Sequence, residues 1–168
     1  MGMDTEVRDA MNEQIKYELE SAYLYLAMSA HFEAANLSGF GRWMRIQARE
    51  ELGHALRLFD YVIDRGGRVQ LQAVGEPPTE FGTPLSIFEA ALAHEKKVTS
   101  LIQRLHETAL AKSDYATQVH LQWFVTEQVE EEKSATTAVE QLRMAGSDAA
   151  ALLMLDRQFG ARSETQGE

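Results

Sequence analysis

The placement of proline and glycine constrains this chain more than any other feature. All three prolines (Pro77, Pro78, Pro84) fall between Val69 and Pro84, together with Gly75 and Gly82. A proline inside a helix removes a hydrogen bond and clashes with the preceding turn, so this stretch reads as a linker. On either side lie long runs suited to helix. From Asp4 to Glu33 there is neither proline nor glycine, and apolar residues recur at helical spacing through Met11, Ile15, Ala22, Tyr25, Met28 and Phe32. Asn36, Leu37, Ser38 and Gly39 break that pattern, and a second run from Arg42 to Arg65, broken only by the lone Gly53, stops at Gly66 and Gly67. A third run follows Pro84, with Ser86 and Glu89 spaced as a capping box. A fourth ends at Gly146, after which Ser147 and Asp148 read as the cap of a shorter fifth helix reaching Phe159.

The sequence therefore predicts an all-α chain, with helices over about 4–33, 40–66, 85–112, 115–145 and 148–159, a connection at 67–84, and a polar tail expected to fray. Its 168 residues, 45% of them apolar, suffice for one compact domain that buries roughly 70% of the surface its unfolded chain exposes. Turns of about five residues force the first two helices, and the last two long ones, to run antiparallel. The linker could extend about 55 Å, enough to return along a helix of about 40 Å, which gives a four-helix bundle with one long crossover. A hinge between two separate hairpins is the alternative.

Each long helix carries one carboxylate in its inward stripe. The stripes read Met11, Ile15, Glu18, Ala22, Tyr25; Met44, Gln47, Glu51, His54, Leu58; Phe88, Leu92, Glu95, Val98, Ile102; and Phe124, Gln128, Glu131, Ala135, Leu142. Every one of these glutamates lies within a turn of its helix midpoint, and midpoints stay level in antiparallel and parallel pairs alike. The four carboxylates must share a layer. Desolvating an ionised carboxylate costs several kcal/mol, and four together also repel one another. No lysine or arginine falls on the stripes near that layer, so the available countercharge is metal, and four carboxylates balance two divalent ions. His54 stands at i,i+3 from Glu51, where a neutral imidazole can join the same ion. Oxygen-rich ligation with a single histidine suits iron or manganese, and zinc could enter adventitiously.

Composition narrows the remaining choices. The absence of cysteine excludes thiolate metal sites, iron–sulfur clusters and disulfides, and fits a reducing compartment. A formal net charge of −10 argues against a nucleic-acid partner. The N-terminus lacks the order of a secretion signal and no window is apolar enough to span a membrane, so the expected location is cytoplasmic. His31, His94, His106 and His120 have no partner at ligand spacing, and each is expected to serve surface or hydrogen-bonding roles.

Three segments resemble one family: Asn12 to Glu20, Glu50 to His54, and Gln122 to Lys133 are similar to the bacterial non-haem ferritins, and the likeness runs through the short final helix. The resemblance implies iron storage: Fe(II) is oxidised by O2 or H2O2 at a di-iron ferroxidase centre within each subunit and kept as a mineral inside a closed homo-oligomeric shell. It implies that Glu18, Glu51 and His54 hold one iron, and that Glu51 bridges to a second held with Glu95 and Glu131. Gln128 would lie beside the pair where dioxygen binds, and Tyr25 would supply an electron. Glu50, Glu127 and Glu130 match the family's third, inner-facing iron site. Haem-binding relatives carry a second Glu-x-x-His on the fourth helix and a methionine after the second-helix glutamate, where this chain has Ser134 and Leu52, so no haem is expected. Mini-ferritins place iron between subunits and lack a fifth helix, and rubrerythrins add a cysteine-rich domain. The alternative function is a freestanding di-iron or di-manganese oxidase, or a peroxide-detoxifying enzyme, using the same residues. Leu152, Leu153, Met154, Leu155 and Phe159 make the fifth helix apolar all round, and a closed bundle is expected to have no spare face for it. Cover by other subunits is the expected solution, and the resemblance implies a closed shell of roughly 24.

Overall fold

A computed structural model describes residues 2–164. Its elements are α1 (Thr5–Ala34), α2 (Ser38–Asp64), α3 (Pro84–Ala111), α4 (Tyr115–Ala145) and α5 (Ala149–Gly160), with no strand among the described residues. Local chemistry accounts for most of these limits. Asp4 caps α1 by accepting from the N–H groups of Glu6 and Val7. Past its end Asn36 turns left-handed at φ 58, which lets the Leu37 N–H reach the Phe32 carbonyl. Asp148 caps α5 by accepting from the Ala151 N–H at 2.8 Å. Gly146, at φ 56, follows α4.

Two starts differ from the sequence expectation. At α3 the Ser86–Glu89 box does not form. The Thr83 side chain accepts from the Ser86 N–H at 3.2 Å, and Pro84 takes the first helical position, where its missing N–H costs nothing. The Ser86 hydroxyl donates back to the carbonyls of Phe81 and Thr83, and Glu89 pairs with Arg143. α2 starts at Ser38 with no local side-chain cap; Asp156 of α5 accepts from the Phe40 N–H at 2.9 Å. Gly39 is therefore inside the helix and not a breaker. A Cβ there would lie 1.7 Å from the Asp156 carbonyl oxygen, so only glycine permits this approach of α5.

The chain between α2 and α3 follows the crossover path. Its beginning is tied to α1, since Asn12 donates to the Arg68 carbonyl at 3.0 Å and accepts from the Gln70 N–H at 2.9 Å. Val69 packs against the cluster that holds Val7, Met11 and Leu58 at one end of the bundle, while Phe81 packs against the one that holds Phe32 and Phe88 at the other. The linker thus runs the length of the bundle, and the free hinge is excluded. α1 packs on α2, α3 on α4, and α1 against α3. The apolar core is split into two clusters, one around Phe32, Phe40, Phe88 and Leu142, the other around Met11, Leu58, Ile102 and Phe124. A buried polar layer separates them.

α5 finds more cover than its sequence suggests. Phe159 sits 5.2 Å from the Phe40 ring and 5.4 Å from that of Phe88, so the end of the bundle does offer it a seat. Leu153 and Met154 remain 54% and 70% exposed. The expected polar tail begins at Ala161, and within it Arg162 is tied to α2; residues 165–168 lie outside the described part.

Candidate metal centre

The four stripes meet as their spacing requires. Glu18, Glu51, Glu95, Glu131 and His54 are all buried, none more than 6% exposed. Ligand atoms of Glu18, Glu51 and His54 lie within 4.8 Å of one another, as do those of Glu51, Glu95 and Glu131, so Glu51 is common to both sets. That is the geometry of two cation positions sharing one carboxylate.

Hydrogen bonding leaves the acids incompletely served. His54 Nδ1 lies 3.3 Å from Glu51 Oε2 and 3.8 Å from Glu18 Oε2, close enough for charge contact, yet neither oxygen has a hydrogen-bond donor. An unsatisfied buried carboxylate oxygen costs at least a few kcal/mol. Two such oxygens flanking an imidazole nitrogen suit a divalent cation, which would satisfy all three donor atoms at once. The remaining oxygens are oriented by neighbours. Gln14 donates to Glu18 Oε1 at 2.9 Å. Gln47 donates to Glu51 Oε1 at 3.0 Å and to Glu131 Oε2 at 2.6 Å. Tyr25 gives Glu95 a short hydrogen bond, and Gln128 donates to the carboxylate and carbonyl of Glu95, each at 3.2 Å.

Electrostatics point the same way. Burial, reinforced by the other acids, pushes Glu131 up to about 8 and raises Glu51 and Glu95 as well. Burial pulls His54 down, but the adjoining Glu18 and Glu51 carboxylates outweigh it and hold the imidazole at about 11. Without a cation the cluster retains protons that an ion would displace. The Tyr25 hydroxyl is also raised well above its ordinary value, first by burial and then by Glu95.

The outer acids have different immediate neighbours. Glu127 joins His54 and Glu131 within 4.8 Å, which brings it nearer the pair than its off-stripe position implies. Glu50 instead accepts from Arg162 at 2.7 Å. Glu130 is exposed and lines a surface pocket of about 470 Å³ with Trp43, Lys133 and Arg162. Three of the four histidines outside the cluster are engaged elsewhere: Nε2 of His94 is 2.7 Å from the Ser21 hydroxyl, that of His31 is 3.2 Å from the Gly82 carbonyl, and His120 stacks on Tyr61 at 3.9 Å. His106 lines a surface pocket.

Three contributors were not singled out by the sequence. Gln14 and Gln47 each precede a candidate ligand glutamate by one turn, and buried amides at i−4 from buried acids were a readable signal. Arg162 gave none, since it follows α5 and reaches the site only because that helix folds back.

Comparison with known proteins agrees with this architecture. A family model for the ferritin-like domain matches residues 8–145. A bacterial non-heme ferritin from Bacteroides fragilis is 43% identical over 157 residues, covering 94% of this chain and 98% of its own. One from Staphylococcus saprophyticus is 37% identical over 166 residues, covering 99% of each. Among solved structures, a closed form of the Archaeoglobus fulgidus ferritin made by site-directed mutagenesis superposes with a TM-score of 0.96 at 50% identity, covering 98% of this chain and 100% of that one. The open-pore ferritin of the same archaeon gives 0.95 at 49% identity, covering 96% and 98%.

Proposed function

The chain belongs to the ferritin family, and on that premise we propose that it stores iron, oxidising Fe(II) at the buried carboxylate cluster. The observation that carries this reading is the pair of three-residue sets sharing Glu51, with two orphaned carboxylate oxygens beside His54. Iron is the substrate and cargo. Glu18, Glu51 and His54 would receive one Fe(II), and Glu51, Glu95 and Glu131 the other. Two Fe(II) held side by side can give one electron each to O2 or H2O2, becoming Fe(III). Hard anionic oxygens favour the ferric product. Gln128 and Tyr25 keep the Glu95 carboxylate turned toward the pair, and the hydroxyl of Tyr25 is within one hydrogen bond of a ligand, where it could pass an electron.

The same reading takes Glu50, Glu127 and Glu130 as a third, inner-facing iron site beside the pair, with Glu127 at its near edge, and expects no haem. It takes the whole chain as one ferritin-like domain, acting in the cytoplasm as a closed shell of roughly 24 copies. The cysteine-free chain suits that reducing compartment. The bare Leu153 and Met154 of α5 support contacts between subunits.

Size exclusion after aerobic Fe(II) loading is the test. A large particle whose protein peak carries many iron atoms per subunit is expected. A small species that turns over but retains about two irons per subunit would replace storage with the freestanding oxidase.

A further inference from the structure

Arg162 lies two residues beyond α5, yet it reaches the metal centre. The segment is strapped to α2 by Arg42, which donates to the Gly160 carbonyl at 3.0 Å and also to that of Arg162. The Arg162 guanidinium lies 4.5 Å from the Trp43 ring centroid, donates through Nη1 to Gln47 Oε1 at 3.0 Å, and through Nη2 to Glu50 Oε2 at 2.7 Å. Gln47 is fully buried, and its Nε2 faces the opposite way, toward Glu51 and Glu131.

A glutamine amide can present either its oxygen or its nitrogen to a neighbour, and the two orientations have nearly the same shape. Here the choice has consequences. With nitrogen inward it donates to two candidate ligands; with oxygen inward it would face two carboxylates with a further acceptor. A guanidinium only donates, so Arg162 accepts one outcome alone, the amide oxygen outward. Its second nitrogen meanwhile stands as a tethered cation against Glu50. Arg162 also borders the pocket of about 470 Å³ that Glu130 lines, so the guanidinium has room to leave.

We propose that Arg162 is a positioning residue of the metal centre: it fixes the Gln47 amide so that its NH2 orients Glu51 and Glu131, while its second nitrogen is anchored on Glu50. The proposal rests on the paired-cation reading above. It makes α5 and the strap after it part of the centre, because detaching them releases Gln47 and withdraws the Arg162 cation from Glu50 together. Partners of ligating carboxylates that do not touch metal typically change metal affinity 10- to 100-fold when removed.

The experiment is anaerobic titration of the assembled metal-free protein with Co(II), following heat and the visible spectrum, which reports coordination. Wild type should take up two ions per subunit. Arg162→Leu should weaken the pair about tenfold and alter its spectrum. Gln47→Leu should reproduce the altered pair. Adding Arg162→Leu to Gln47→Leu should leave the pair unchanged further. An unmoved pair in Arg162→Leu, or additive losses in the double variant, would overturn the proposal. If Arg162→Leu does not assemble, Arg162→Met, uncharged, unbranched and without a donor, takes its place in the same cycle, and an unmoved pair or additive losses overturn the proposal there too. Failure of wild type to bind two ions would remove the paired-cation reading itself, whereas normal wild-type uptake with unmoved variants removes only the role of Arg162.

Discussion

Loading the metal-free protein with two divalent cations per subunit should expel about two protons per subunit at pH 7. His54, held at about 11, carries its proton there almost completely. Glu131, pushed up to about 8, is protonated in about nine subunits of ten at that pH, one unit below its midpoint. A cation needs the imidazole lone pair and the ionised carboxylate, so both protons must leave, about two in all. Glu51 and Glu95 are raised too, and whatever they hold adds to the count. At pH 9, above the Glu131 midpoint, release from these two groups should fall toward the single His54 proton. The assay is anaerobic calorimetry with Zn(II) in two buffers of different ionisation enthalpy, which separates proton release from binding heat. His54→Ala should lower the release by about one. Tight uptake of two ions with less than about half a proton released at pH 7 would refute this reasoning, because the acids would then have been ionised and the imidazole neutral beforehand.

The same groups set the stability of the metal-free fold. Because Glu131 and His54 are raised on folding, their contribution is complete below the unfolded values of 4.5 and 6.5 and is lost as pH climbs through about 8 and about 11; the Tm should therefore fall between pH 6 and pH 9 by calorimetry, and bound cations should remove the slope. Glu51→Ala or His54→Ala should leave a helical protein by circular dichroism but slow the first phase of Fe(II) oxidation at least about tenfold in stopped flow, a loss of roughly 1.4 kcal/mol of barrier lowering. Glu130→Ala should spare that phase and change only later turnover, whereas Glu127→Ala, within reach of His54 and Glu131, should disturb it; equal effects of the two would contradict the geometry. Gly39→Ala forces α5 off the start of α2 and should cost about 1–3 kcal/mol in thermal unfolding, with amide exchange rising first at Phe40. Cutting the chain after Gly146 should weaken shell assembly in light scattering while the bundle still folds.

The helices and the convergence of the four core acids were legible because they depend on periodicity. Prolines confined to 69–84 leave helices on both sides, and an acid on each core stripe at mid-height meets the others however the helices are ordered. Caps built from neighbours in sequence, such as Asp148, were readable for the same reason, although Thr83 displaced Ser86 where a proline took the first helical position. What tertiary structure decided lies wherever a partner comes from a distant element. The start of α2 is capped by Asp156, 116 residues away, so no local pattern marks it, and Gly39 is required by the backbone of another helix. Glu50 and Glu130 look alike as off-stripe acids, yet one is met by Arg162 and the other lines an open pocket. A stripe specifies which face a residue occupies; the identity of its neighbour depends on where the folded chain returns, and α5 returns onto α2.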